Sequence, residues 1–320
     1  MKKLFAIMLA LMLVLTMGSA LAEEYEDQQT VTVTKRYQLI GDGSSPEETF
    51  TLVQVGSRVV EGEAETAPEL GTITGAHFAA GAATTAGAEA GITINLPRYD
   101  HVGIYEYTLQ EVAGMNAGVA YYGQNIKLVV TVINDTDGNI RVAAVHTESE
   151  GGEKSDTFTN TYSAGELNIT KNVEGNLGDT DKYFEFTVTL TGESDKTYAV
   201  NFAVSGGSYE SNPTTIALNE PTKFYLSDGD TITIENLPYG VTYTVEEADY
   251  TADGYTTEGE ISTPEKIDSA AETVTVTNTN NNADIDTGIT TDNLPYIVLM
   301  GIVVLAGVAM IAKRRMAHND

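Results

Sequence analysis

From residue 30 to residue 280 the apolar positions alternate with polar ones, and almost nowhere do they recur at a helical spacing. A period of two is the mark of strands that bury one face. A first set of such runs covers 30–40, 49–55, 103–112, 126–133, 140–145 and 156–162. A second set covers 167–173, 183–190, 198–204, 223–226, 231–235, 241–247 and 273–278. Turn residues separate them, among them Asp137-Gly138 and Ser227-Asp228-Gly229-Asp230, which are hairpin signals. Many short strands with regular turns predict an all-β chain of two tandem β-sandwich domains, 23–164 and 165–280. Nine of the twelve residues from Ala79 to Ala90 are Ala or Gly, so 61–90 reads as a long surface loop. Ser163-Ala164-Gly165 reads as the linker between domains, Thr279–Ala283 as an Asn-rich stalk, and 281–293 as stalk and sorting motif.

The two ends set the compartment. Lys2 and Lys3 precede an apolar run from Leu4 to Met17, followed by Ala20-Leu21-Ala22. This is the layout of a signal peptide, 1–22, cleaved before Glu23. Residues 294–312 are apolar and Lys313-Arg314-Arg315 follow. Nineteen such residues are enough for a transmembrane helix, and the cations assign the tail, 313–320, to the cytoplasm. The expectation is therefore an extracellular, cell-surface or wall-anchored ectodomain, membrane-spanning before sorting. Just ahead of the span stands Asp286-Thr287-Gly288. Motif, span and basic tail in that order resemble a Gram-positive cell-wall sorting signal. The resemblance implies a sortase that cuts between Thr287 and Gly288 and passes the Thr carbonyl to an amine. The usual Leu-Pro-x-Thr-Gly is here reduced to Asp-Thr-Gly, with Asp286 where a shorter core keeps Pro.

Composition narrows the choices. With 17 Lys and Arg against 46 Asp and Glu the net charge is -29, which disfavours nucleic acid as a partner because phosphates need a basic patch. The chain has no Cys, so it has no disulfide, no thiolate metal site and no Cys nucleophile. Four scattered His offer no metal cluster. No phosphate-binding Gly-rich loop, Ser/His/Asp set or paired-carboxylate site with a third group is apparent, and no cofactor or metal is expected.

The two halves repeat one pattern. The first opens on Val31-Thr-Val33-Thr-Lys35-Arg-Tyr37 and the second on Leu167-Asn-Ile169-Thr-Lys171-Asn-Val173. Then come Tyr107-Thr-Leu109-Gln-Glu111 and Tyr243-Thr-Val245-Glu-Glu247. The closing strands carry Phe158-Thr-Asn160-Thr-Tyr162 and Val274-Thr-Val276-Thr-Asn278-Thr. The Lys-to-Glu spacing is 76 in both (111 − 35 and 247 − 171). Alternation puts Lys35, Glu111, Asn160, Lys171, Glu247 and Asn278 on the same faces as the apolar residues around them. Burying these groups singly would cost several kcal/mol each. Glu246 is sent outward by the same parity. Asn280 shares the parity of Asn278, which is preferred because it matches the Thr-Asn-Thr of the first half.

Chemistry gives the two trios a joint role. Desolvation favours a neutral amine and a protonated carboxyl. The Lys nitrogen can then attack the Asn side-chain carbonyl while the Glu polarises it and carries protons to the departing ammonia. The product is an isopeptide bond between the first and last strands of a domain, made once per molecule, so the chain is no turnover enzyme. At these residues the first half resembles the streptococcal pilin isopeptide-linkage domain of T-antigen major pilins, most closely over 91–162. The second half resembles the Cna B-type pilin fold. The resemblance implies immunoglobulin-like sandwiches with bonds Lys35–Asn160 and Lys171–Asn278, made with Glu111 and Glu247 as catalysts. It also implies a polymerising amine shortly before the first Asn, where Lys154 stands, with Lys182 as a rival. The expected role is a pilus subunit or wall-anchored stalk whose partners are a sortase and neighbouring pilin subunits or peptidoglycan. The alternative is a monomeric anchored adhesin with a host-surface ligand.

Overall fold

The computed structural model describes residues 28–281, together with helical residues at 298–300, 303 and 306. The signal peptide, Thr287-Gly288, most of the apolar 294–312 segment and the basic tail lie outside the described residues. Among the described residues no helix is long and apolar enough to cross a membrane.

The alternating runs fold as strands, except that the run 198–204 is strand only from Phe202 onward, with Val200 exposed. In the first half they are β1 (Thr30–Gly41), β2 (Glu48–Phe50), β3 (Leu52–Gly62), β4 (Ile73–Thr74), β5 (Ala76–Phe78), β6 (Ala88–Asn95), β7 (Gly103–Glu111), β8 (Val119–Ala120), β9 (Ile126–Asn134) and β10 (Ile140–Ser149). An 18-residue strand, β11 (Thr157–Glu174), runs from the first half into the second. Then follow β12 (Phe184–Thr191), β13 (Phe202–Gly206), β14 (Thr215–Ile216), β15 (Thr222–Leu226), β16 (Thr231–Pro238), β17 (Thr242–Glu247), β18 (Thr256–Glu258), β19 (Ile261–Lys266) and β20 (Ala271–Thr279).

Strand β11 organises the molecule. Its first half lies parallel to β1 and its second half parallel to β20. One ten-stranded sheet therefore passes through both halves, in the order β14-β13-β16-β11-β1-β6-β4, with β20, β18 and β8 attached to the side. Two four-stranded sheets complete the layers, β10-β9-β7-β3 and β15-β12-β17-β19. Inward-facing residues form two apolar clusters. One joins Val33, Tyr37 and Phe158 to Tyr107, Leu109 and Leu128. The other joins Leu167, Ile169 and Val276 to Phe186, Val188 and Val245. This is the two-layer packing expected of sandwiches.

Two local expectations are corrected. Ser163-Ala164-Gly165 is no linker; these residues lie in the middle of β11. They are small because chains crowd there, not because the chain must flex. Ala164 is fully buried, and a Cβ on Gly165 would sit 2.1 Å from the Ser269 carbonyl oxygen. Backbone bonds from Asp42 to Ala164 (2.9 Å) and from Tyr239 to Ser163 (3.0 Å) hold the segment from both halves. Asn236, at φ 56°, adds a side-chain clasp. Its Oδ1 accepts from Ser44 N at 2.9 Å and from the Tyr162 hydroxyl at 3.1 Å, and its Nδ2 donates to Ser44 O at 3.1 Å. The 61–90 region also carries more order than a loop. It holds β4, β5 and the start of β6, which pairs antiparallel with β1 and buries Ile92 and Ile94.

The cores are rich in buried phenols. Burial pushes Tyr107, Tyr162 and Tyr243 up to about 12. Between pH 10, the ordinary phenol value, and about 12 the unfolded chain loses these protons while the folded one keeps them. The stabilisation is therefore whole below pH 10 and falls as pH rises through that window. Denaturant midpoints should be flat from pH 8 to pH 10 and drop steeply above it, tracked by circular dichroism. A midpoint constant to pH 12 would contradict the burial of these hydroxyls.

Candidate functional site: two buried Lys–Glu–Asn triads

The register explains how each triad assembles. In the parallel β1–β11 ladder Lys35 stands opposite Phe158, so Asn160 lies two residues along on the same face. In the parallel β11–β20 ladder Lys171 stands opposite Val276, so Asn278 again lies two residues along. Diagonal neighbours of this kind touch when one side chain is long. The third member comes from the facing sheet: Glu111 ends β7 and Glu247 ends β17.

In the first triad the three groups close a hydrogen-bonded ring. Lys35 Nζ donates to Glu111 Oε2 and, at 2.7 Å, to Asn160 Oδ1. Asn160 Nδ2 donates to Glu111 Oε1 at 2.5 Å. Backbone Tyr122 N donates to the same oxygen at 3.2 Å. All three side chains are buried, and the rings of Phe50 and Tyr122 lie 5.4 and 5.6 Å from Nζ.

The second triad is equally buried but less saturated. Lys171 Nζ is 3.2 Å from Glu247 Oε1, and both side chains are 0% exposed. The amine sits 4.3 Å over the Phe184 ring. Glu247 Oε2 accepts from the Thr257 hydroxyl at 3.1 Å, and Glu247 N donates to Glu260 Oε1 at 2.6 Å. Among the described residues five buried side-chain polar atoms lack a hydrogen-bond partner, and four belong here: Lys171 Nζ, Glu247 Oε1, and both amide atoms of Asn278. Unsatisfied groups concentrated in this way are costly, and that cost would vanish if amine and amide became one bond.

Burial holds both lysines below the ordinary amine value; the attraction of Glu111 or Glu247 opposes that shift without cancelling it. A depressed amine pKa raises the fraction of neutral nucleophile. In the first triad the geometry therefore supplies a buried amine, an amide beside it and a carboxyl touching both; in the second it supplies the amine with the carboxyl at 3.2 Å and an amide placed two residues along by the strand register.

The other singled-out residues separate cleanly. Glu246 faces solvent. Asn280 lies just past β20, with Nδ2 on the Asp253 carbonyl at 3.1 Å, whereas Asn278 is buried two residues along from the position opposite Lys171. Lys154 is exposed, past the end of β10, and its backbone forms an isolated antiparallel bridge with Glu148 within that strand. Lys182 is engaged: its Nζ donates to Asp253 Oδ2 at 2.6 Å and lies 4.5 Å from the Tyr250 ring, which keeps it protonated, above the usual amine value. Sequence reasoning missed Tyr122, Thr257 and Glu260. The last two lie ten or more residues from Glu247, on a short edge strand and in the turn after it, with no alternation to mark them.

A β-sandwich that buries a Lys on its first strand, an Asn on its last and a Glu from the facing sheet has the layout of an isopeptide-type domain. Residues 31–163 match the family model of the Spy0128-like isopeptide containing domain. Residues 165–281 match a domain of unknown function, DUF7601. The chain is 28% identical over 238 residues to a pilin of Streptococcus pyogenes serotype M1, covering 68% of this chain and 69% of that one. Its fold is that of the Streptococcus pyogenes major pilins. The T3.2 pilin of serotype GAS13637 aligns with a TM-score of 0.52 at 21% identity, over 80% of this chain and 99% of that one. A second Streptococcus pyogenes major pilin aligns at 0.51 and 22%, over 79% and 99%. The chain is thus a streptococcal-pilin-like protein.

Proposed function

We propose that the chain is a cell-surface pilus subunit in which each domain is locked by its own Lys–Asn amide, Lys35–Asn160 and Lys171–Asn278. Glu111 and Glu247 serve as the proton carriers. The observation that carries this reading is the repetition of one buried constellation with one strand register in both halves. No structural need of a sandwich core calls for a buried lysine twice at the same diagonal from an asparagine.

The amides stand in for the absent cystines. They close loops of 125 residues and 278 − 171 = 107 residues. On the loop-entropy model a cross-link over a loop of that size stabilises by about 4–5 kcal/mol. Export, cleavage at Thr287-Gly288 by a sortase, and attack by Lys154 of a neighbouring subunit complete the assembly scheme. The exposure of Lys154 suits it for intermolecular attack, whereas Lys182 is tied to Asp253.

One measurement tests the cross-links and one tests assembly. The intact mass of the purified chain should fall short of its sequence mass by two ammonia molecules, and a full sequence mass would refute both bonds. Cell-wall extracts should show a ladder of covalent multimers that collapses in Lys154→Ala. A single wall-linked band in the wild type would indicate instead a monomeric anchored adhesin.

A further inference from the structure

Thr257 occupies a singular place in the second triad. It lies on β18, directly opposite Asn278 in the antiparallel β18–β20 ladder. Its hydroxyl reaches across to Glu247 Oε2 at 3.1 Å. One partly buried residue thus joins the strand that carries the amide to the carboxyl that must serve it. The other carboxyl oxygen, Oε1, is left facing Lys171 at 3.2 Å. In the first triad the equivalent steadying contact is a backbone amide, Tyr122 N on Glu111 Oε1. The two halves therefore hold their carboxyls by different means, and only the second depends on a side chain that substitution can remove.

We propose that Thr257 is the positioning residue for amide formation in the second domain, its hydroxyl fixing the Glu247 carboxyl so that Oε1 addresses Lys171 and Asn278. This rests on the reading that Glu247 promotes a Lys171–Asn278 bond. In that step the neutral Lys171 Nζ bonds to Asn278 Cγ and the Cγ–Nδ2 bond breaks. A proton from Nζ passes through the Glu247 carboxyl to Nδ2, ammonia leaves, and the carboxyl is returned unchanged. A carboxyl free to rotate would offer the relay the wrong oxygen part of the time. The hydrogen bond from Thr257 removes that freedom without entering the chemistry, and Glu260 steadies the backbone of the same residue.

The test follows each cross-link in the full chain made in a timed cell-free reaction, digested at intervals, with the linked Lys35–Asn160 and Lys171–Asn278 peptides quantified by mass spectrometry. Thr257→Val keeps the shape and removes the hydroxyl. It should slow the second bond about tenfold, the effect of losing one hydrogen bond to a carboxyl, while the first bond forms at its normal rate. Thr257→Ser should restore the second rate. Normal speed in Thr257→Val, or a Ser variant as slow as Val, would overturn the proposal. Folding is checked in a Lys171→Ala background, and if Val unfolds there, Thr257→Ala is judged by the same criterion. Glu247→Gln separates the two ideas: a normal rate in that variant would refute the catalytic reading itself, whatever Thr257 does.

Discussion

Glu111→Ala should leave Lys35 and Asn160 unlinked, keeping the mass of one ammonia that the wild type loses, and should lower the first domain's thermal midpoint by roughly 20 °C. The magnitude follows from two losses. The cross-link over 125 residues contributes about 4–5 kcal/mol, which in a domain of this size corresponds to roughly 3–4 °C per kcal/mol. The substitution also strips the buried Lys35 amine of its carboxyl partner, since Lys35 and Glu111 are both enclosed, and a buried polar group left unpaired is destabilising by about 1–3 kcal/mol. Asn160→Ala separates these terms. It too is unlinked, but it retains the Lys35–Glu111 pair. Calorimetry should therefore rank wild type above Asn160→Ala and Asn160→Ala above Glu111→Ala, with both variants showing the same mass deficit of one ammonia from the second domain. If Glu111→Ala still loses two ammonia molecules, Glu111 is not the proton carrier.

Much of this site was legible in the chain because a strand enforces a strict period of two. Once Val31, Val33 and Tyr37 are placed inward, Lys35 has no choice of face, and its burial to 1% exposure follows. The same parity placed Asn160 and Asn278, each 0% exposed. What parity cannot supply is the partner strand. The β1–β11 and β11–β20 pairings join segments more than a hundred residues apart, and repetition of the motif was the only sequence sign of them. Composition misled where close approach mimics flexibility. Gly165 faces the Ser269 carbonyl, and small residues chosen for that contact resemble a linker. Gly91 at the β6–β1 pairing behaves in the same way, for a Cβ there would lie 2.7 Å from Thr32 Cγ2. Thr257 was invisible for another reason: a three-residue edge strand carries too short a pattern to reveal which side chain turns inward.

The second large effect is mechanical and turns on β11. With both amides in place, tension entering along β1 crosses from Lys35 to Asn160, runs down β11 to Lys171, and crosses to Asn278 on β20. Only the segment of β11 between Asn160 and Lys171 lies in the path, and it is held as continuous strand with neighbours on both sides. Residues 36–159 and 172–277 are bypassed, so their hydrogen bonds never bear the load. Pulled from its ends in a force spectrometer, the wild-type chain should show no domain-sized extension before covalent rupture. Lys171→Met removes the nucleophile while keeping an unbranched side chain of similar reach over Phe184. It should add a single unfolding step that frees the 107 residues from Lys171 to Asn278, an extension of roughly 350 Å at 3.3–3.6 Å per residue. Adding Asn160→Ala should bring a second step of roughly 400 Å. Domain-sized steps in the wild type would mean that the amides do not form. A silent Lys171→Met trace would place the second cross-link elsewhere. The same variant lacks a buried amine that has no hydrogen-bond partner of its own, so at zero force it should lose the stabilisation of the cross-link without leaving an unpaired amine in the core. Force and heat should thus rank the variants differently, with Lys171→Met fully extensible yet thermally milder than Glu247→Ala, which leaves the Lys171 amine buried without the carboxyl that faces it.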